Sequence, residues 1–171
     1  MRFELRPTDD GSLTVFDRDA GECFKSCHAA RSEAEHVFFR PAVLEHPLFG
    51  HRPLEVLELG FGLGTNYLHF RDQNFAGCFR SVERDLSGVE FFLAAAPDDS
   101  LAELVRNGEA AHGSMRAVLH RGDFFVELRK LIGAGYRADA VLFDPFSPKA
   151  NPGAWTGELF SLAREIGRAH V

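Results

Sequence analysis

Four short apolar runs each stop at a glycine or a carboxylate, and those end residues are the ones equipped for chemistry. Residues 54–59 run into Gly60, 78–82 into Glu83, 117–120 into Gly122-Asp123, and 140–143 into Asp144. The first run opens a glycine-rich turn, Gly60-Phe61-Gly62-Leu63-Gly64-Thr65. Glycine lets the backbone approach a ligand and adopt positive φ, and a helix that follows offers free N–H groups. A dinucleotide fingerprint carries glycine at the sixth position of the turn. Thr65 stands there, which favours a nucleoside cofactor without pyrophosphate. Glu83, 19 residues past Gly64, can accept both hydroxyls of a ribose; beside Arg80 and Arg84 it also reads as a solvated surface charge. Asp123 suits a helix N-cap and, through its second oxygen, an adenine amino group.

The segment after Asp144 is the sharpest: Asp144-Pro-Phe-Ser-Pro-Lys-Ala-Asn-Pro-Gly-Ala-Trp155. Pro145 removes a backbone donor directly after the run, so the local surface is rich in acceptors. Acceptors facing an amine hold its nitrogen and aim its lone pair. Phe146 and Trp155 read as apolar walls or base-stacking platforms, and Trp155 equally as core filler.

The spacing predicts the elements that position these residues. Residues 54–59, 78–82, 117–120 and 140–143 read as strands. Residues 65–74, 87–96, 101–106, 123–132 and 154–164 read as helices between and after them. Alternating strands and helices predict a parallel sheet with ligands beyond the carboxyl ends of the strands. Upstream, residues 13–16 read as a strand, 33–39 as a helix limited by Pro41, and 41–53 as a connector.

Composition narrows the class. The chain has 171 residues, 45% hydrophobic and 26% charged, with a formal net charge of −6. These values fit one globular α/β domain. Seventeen phenylalanines argue against disorder. The acidic balance argues against a simple basic nucleic-acid module, although a local patch can still serve a polynucleotide. No apolar run approaches a membrane span and the first residues lack a signal-peptide core, so a cytoplasmic protein is expected. Three cysteines form no disulfide framework. Cys23, Cys27, His28 and His36 lack a second well-spaced pair, so no metal is expected. Arg31, Arg40, His46, His51 and Arg52 read as surface charge.

Glu58–Asn66, Glu83, Gly122-Asp123 and residues 144–156 together resemble the methyltransferase domain of the tRNA 5-methylaminomethyl-2-thiouridine biosynthesis family. The most specific likeness is residues 144–156 to the family pattern D-x-F-[AS]-P-x-x-N-P-x-x-W-T; the segments 21–24 and 32–38 also resemble the family's N-terminal stretch. The resemblance implies a Rossmann-like class I methyltransferase sheet and S-adenosylmethionine as cofactor. It implies the 5-aminomethyl group of a wobble uridine in the tRNA anticodon region as substrate, and a fused or separate FAD-dependent oxidase. Pro145 stands where fused members tend to have glycine, which leans toward stand-alone members.

On this resemblance Gly60, Gly62 and Gly64 cradle the methionine part, Glu83 holds the ribose, and Asp123 meets the adenine. Glu58, Phe61, Thr65, Asn66 and Phe124 complete the expected cofactor set. Asp144, Pro145 and Phe146 are the expected catalytic segment, with Asp144 orienting the amine and relaying its proton. Lys149, Asn151 and Trp155 are the expected substrate contacts. Two alternatives remain: an N-methyltransferase acting on a small molecule or protein, and an inactive nucleoside-binding module.

The expected organisation is an N-terminal β/α extension with connector over 1–53, a partial methyltransferase core over 54–164, and a non-native tail over 165–171. The tail back-translates to the start of a common short-read sequencing adapter. The family sheet has seven strands and only four are found here, so the fourth is expected to have an open hydrophobic edge.

Overall fold

The structure, a computed structural model, describes residues 1–26 and 30–170. Cys27 and His28 lie outside the described residues. So does Val171, the last residue of the expected tail. A six-stranded sheet runs in the order β6-β7-β5-β4-β8-β9. Its centre is β4 (Leu54–Leu59), flanked by β5 (Gly77–Glu83) and β8 (Ala138–Phe143), both parallel to it. β7 (Met115–Arg121) extends the parallel set beyond β5. The four expected strands are thus the four inner ones, and the parallel-rich α/β fold is confirmed.

The apolar composition of these strands follows from burial on both faces. Val56 and Phe79 join one core layer with Phe38, Phe39, Tyr67 and Phe70. Leu57, Leu59, Val82 and Val141 join the other with Leu128, Leu131 and Leu159. The first layer is covered by α2 (Thr65–Asp72), α3 (Ser87–Ala95) and α4 (Asp99–Asn107). The second is covered by α5 (Phe124–Gly133) and α6 (Gly157–Ile166).

Three features differ from the sequence reading. Pro41 does not stop the upstream helix. A short α1 (Ala30–Glu33) continues as a π-helix over Ala34–Leu44, with Pro41 inside it. The wider π turn relieves the clash between a proline ring and the carbonyl four residues earlier. Second, β6 (Glu109–His112) forms an antiparallel hairpin with β7. Its two-residue turn is Gly113-Ser114, with Gly113 at φ 56°. Third, the outer edge of β8 is not open. It pairs in parallel with β9 (Gly167–His170), and Ile166 is fully buried at the end of α6. Backbone groups on a strand edge recruit the nearest segment that can satisfy them. The boundary expected after Arg164 therefore falls inside a helix.

The extension is itself a sheet. β1 (Phe3–Pro7), β2 (Leu13–Asp17) and β3 (Glu22–Cys23) are antiparallel in the order β1-β2-β3. Phe3 and Val15 pack on Leu63 with Phe24 and Phe91, which ties this sheet to the glycine turn of the larger one.

Candidate functional site

The order of the sheet reverses at β4: the chain moves outward through β5 and β7, then returns to β8. At such a switch point the loops after adjacent strands diverge and leave a crevice. A cavity of about 290 Å³ lies there. Gly60, Phe61, Gly62, Glu83, Phe124, Asp144, Pro145, Phe146 and Asn151, all expected from sequence, line it.

The first turn is shaped by close approach. Gly60 has φ 98°, and a Cβ there would lie 2.5 Å from the carbonyl oxygen of Asp144. Only glycine fits against that backbone. The Asp144 N–H donates to the Leu59 carbonyl at 2.9 Å, so the loops after β4 and β8 leave the sheet side by side.

Glu83 faces this turn from β5. Its Oε2 accepts from the Gly62 N–H at 3.3 Å, and its Oε1 from the N–H groups of Arg84 and Asp85 at 2.8 and 3.1 Å. Burial pushes its carboxyl above the usual range, against these three donors.

Asp144 has different company. Its Oδ2 accepts from the Lys25 ammonium and, at 3.1 Å, from Asn66 Nδ2. Asn66 also donates to Glu58 Oε1 at 2.8 Å, and Ser81 Oγ donates to Glu58 Oε2 at 2.6 Å. Burial pushes the Asp144 carboxyl up to about 6, opposed by the Lys25 charge. Burial and the charge of Asp144 push Glu58 up to about 8.

The remaining expected residues lie around the cavity rather than in it. Glu58 is 1% exposed and acts from behind, through Asn66. Gly64 is the left-handed N-cap of α2, packed against Leu101 and Phe61, and Thr65 faces a separate hollow. Asp123 caps α5, accepting from Phe125 N and Val126 N through Oδ1 alone; it is Phe124 that reaches the cavity wall. Lys149 is exposed outside the lining. Trp155 packs edge-on to Phe143 at 5.2 Å and donates from Nε1 to the Phe146 carbonyl at 2.8 Å. It anchors the Asp144 loop and does not line the cavity.

Sequence reasoning missed the wall supplied by the extension. Phe24 stacks obliquely on Phe146 with ring centroids 4.7 Å apart. Arg2 bonds Asp17 and Asp85, and both carboxylates border the cavity. Glu22 accepts from Ser147 N and Ser147 Oγ at 2.7 and 2.6 Å, which fixes the Asp144 loop to β3. Of these residues Glu22 and Phe24 stood in a segment that the family likeness had marked.

The lining tests which ligand fits. It offers bare glycine backbone, aromatic walls at Phe61, Phe124 and Phe146, and a carboxylate for hydroxyls at Glu83. Five carboxylates, Asp17, Asp19, Glu83, Asp85 and Asp144, stand against three cations, Arg2, Lys25 and Arg84. That balance suits a cationic nucleoside and opposes a pyrophosphate. Among the described residues no group of His, Cys, Asp and Glu is placed to hold a metal ion, and no helix is long and apolar enough to cross a membrane.

Comparison with known proteins agrees with this geometry. The profile of an S-adenosyl-L-methionine-dependent methyltransferase family matches residues 99–169. The tRNA 5-methylaminomethyl-2-thiouridine biosynthesis bifunctional protein MnmC of Azoarcus sp. (strain BH72) is 28% identical over 94% of this chain and 28% of its own length. The protein of the same name from Paraburkholderia phymatum is 31% identical over 85% of this chain and 26% of its own. This chain thus spans about a quarter of these relatives. Among solved structures, MNMC2 of Aquifex aeolicus aligns over 99% of this chain and 59% of its own, with TM-score 0.74 and 24% identity. Spermidine synthase of Thermotoga maritima aligns over 97% of this chain and 50% of its own, with TM-score 0.64 and 15% identity. Human methyltransferase-like protein 13, solved with SAH, aligns over 79% and 60% with TM-score 0.51 and 21% identity.

Proposed function

We propose, for a chain related over most of its length to the methyltransferase part of the tRNA 5-methylaminomethyl-2-thiouridine biosynthesis proteins, that it binds S-adenosylmethionine and methylates the 5-aminomethyl nitrogen of a tRNA wobble uridine. One observation carries the reading. A bare-glycine nucleoside cradle and a partly buried carboxylate suited to an amine, Gly60 and Asp144, abut at one cavity.

The residues divide the work. Gly60 and Gly62 give the cofactor backbone to lie on, Glu83 accepts from ribose hydroxyls, and Phe124 walls the base. Bound S-adenosylmethionine supplies a methyl group already activated on a sulfonium. The chain's task is therefore mainly alignment. Asp144 accepts an N–H of the acceptor amine, aims its lone pair, and takes up the proton released. Phe146, Pro145 and the Trp155-anchored loop exclude water from that nitrogen. The acceptor uridine is reached across Asn151. The work belongs in the cytoplasm, where tRNA is modified, with an FAD-dependent oxidase, fused or separate, acting on the same nucleoside.

The test is calorimetric titration with S-adenosylmethionine, followed by transfer of labelled methyl to tRNA lacking the modification, with nucleoside analysis. Micromolar binding and label in 5-methylaminomethyluridine are expected. Label in small amines but not tRNA would replace the substrate. Binding without transfer to either would leave a nucleoside-binding module.

A further inference from the structure

Lys25 is a buried cation in a site expected to handle an amine, and neither the cradle nor the orienting role of Asp144 explains it. Its side chain is 6% exposed. It is held at every point. The Lys25 N–H donates to Thr14 Oγ1 at 3.2 Å, and that hydroxyl donates back to the Lys25 carbonyl at 3.2 Å. The ammonium stands 4.7 Å from the centre of the Phe38 ring. It donates to Glu33 Oε1 at 3.3 Å and to Asp144 Oδ2. Its backbone and its ammonium are thus both held in place.

The consequence falls on Asp144. Both hydrogen bonds of its carboxylate among the described residues end on Oδ2, from Lys25 and from Asn66. Oδ1 accepts none of the bonds among those residues, and Asp144 lines the cavity. One oxygen is thus occupied by the protein and the other is left for a ligand.

We propose that Lys25 is a positioning residue of the acceptor site: it pins Asp144 through Oδ2, turns Oδ1 alone to the acceptor nitrogen, and by its fixed charge disfavours an ammonium there relative to a neutral amine. This rests on the amine-methylation reading and adds to it the protonation state of the acceptor. A free alkylamine is mostly protonated at neutral pH, and a protonated nitrogen has no lone pair to attack with. A neighbouring cation lowers the pKa of an amine. The transfer moves one positive charge within the site without adding one, so Lys25 opposes uptake of a cation and not the reaction. The groups facing Asp144 and Lys25 are Glu33 on α1, Glu58 on β4 and Asn66 on α2. The charges of Asp144 and Glu33 outweigh burial and hold the Lys25 pKa above its usual value, so the cation persists across the working range.

Lys25→Met and Lys25→Arg test this in two readouts. In the first, Asp144 is followed by carboxyl carbon-13 NMR, assigned with Asp144→Asn, and needs no acceptor. Its titration should move up by about one pH unit in Lys25→Met and return in Lys25→Arg. Glu33→Gln removes a neighbouring negative charge and should move it down, which keeps the test open if Lys25→Met does not fold. In the second, kcat/KM for aminomethyl-bearing tRNA is measured against pH. Its rising limb should move up by about one unit in Lys25→Met, with about a tenfold loss at pH 7. The S-adenosylmethionine Kd should change by less than about threefold, and Lys25→Arg should restore the profile. An unmoved Asp144 titration overturns the proposal, and so does an unmoved limb in an active enzyme. Wild-type protein that methylates no amine overturns the function itself, and the NMR arm still decides whether Lys25 pins Asp144.

Discussion

Glu83 and Asp144 end strands on either side of β4 and face the same cavity, but they are met by opposite kinds of partner. Glu83 is surrounded by backbone N–H groups of Gly62, Arg84 and Asp85. Asp144 is met by side chains, Lys25 and Asn66, which lie 119 and 78 residues away in sequence. Backbone donors do not titrate, which suits Glu83 to the ground-state binding role proposed for it. The lysine shares charge with Asp144, so the electrostatics of that carboxylate depend on the extension. In the proposed reaction one end of the cavity holds the cofactor and the other manages a proton.

Asp144→Asn should break the contrast most severely. It keeps the shape and removes the charge that, in the proposed reaction, receives the amine proton. Turnover should fall about 10²–10³-fold, while S-adenosylmethionine affinity changes by less than about threefold. Equal losses in kcat and affinity would make Asp144 another Glu83. The wild-type rate should also carry a limb at about pH 6, where Asp144 titrates. The carboxylate is the working form, so activity falls as pH falls through that value; a limb near 4 would mean that burial does not govern this group.

Gly60→Ala tests the seam between the two regions. Its Cβ would meet the Asp144 carbonyl at 2.5 Å, at a φ of 98° that L-residues avoid. The turn must shift, at a cost of about 2–3 kcal/mol in denaturant unfolding. Cofactor binding should be lost with it. Unchanged stability would show that the two loops move apart freely and that Asp144 is not held by the cradle.

Glu83→Gln sharpens the other side of the contrast. An amide keeps one acceptor and gives up the charge, so S-adenosylmethionine affinity should weaken about 10–30-fold, corresponding to loss of charge-assisted bonds to hydroxyls. The kcat at saturation should stay within about threefold. A fall in kcat at unchanged Kd would transfer the chemical role from Asp144 to Glu83.

The same contrast separates what the sequence displays from what it hides. The strand ends were legible because alternation of apolar runs with glycine or carboxylate is a local pattern. So was Asp123 as a cap, since an N-cap bond spans two or three residues. The β6 hairpin was hidden because Glu-Ala-Ala-His carries no strand signature, and only the Gly113-Ser114 turn marks it. Trp155 could be placed as wall or core filler only by seeing which rings it meets. Lys25 was invisible for a stronger reason: a lone lysine after a two-residue strand has no periodicity to place it, and its function exists only through a contact made by folding the extension over β8. Residues that act through backbone neighbours are readable in one dimension, and those that act through distant side chains are not.

Glu58 supplies the smallest expected effect and extends the contrast behind the cavity. It is fully buried, bonded to Ser81 and Asn66, and its carboxyl is pushed up to about 8 by burial and by Asp144. A group whose pKa is higher in the folded chain than in the unfolded one, here about 8 against 4.5, binds a proton on folding. Its contribution to stability is therefore full below about 4.5 and is lost as pH rises through about 8. Glu58→Gln removes that dependence, since a neutral amide can accept from Asn66 and donate to Ser81. At pH 9 the variant should be more stable than the parent, with a higher Tm. At pH 5 the two should melt together. Melting curves at the two pH values decide it. A variant less stable at pH 9 would mean that Glu58 is held ionised by Lys25. The proton-managing region would then extend from Asp144 back to β4, and Glu58 would share the lysine's charge as Asp144 does.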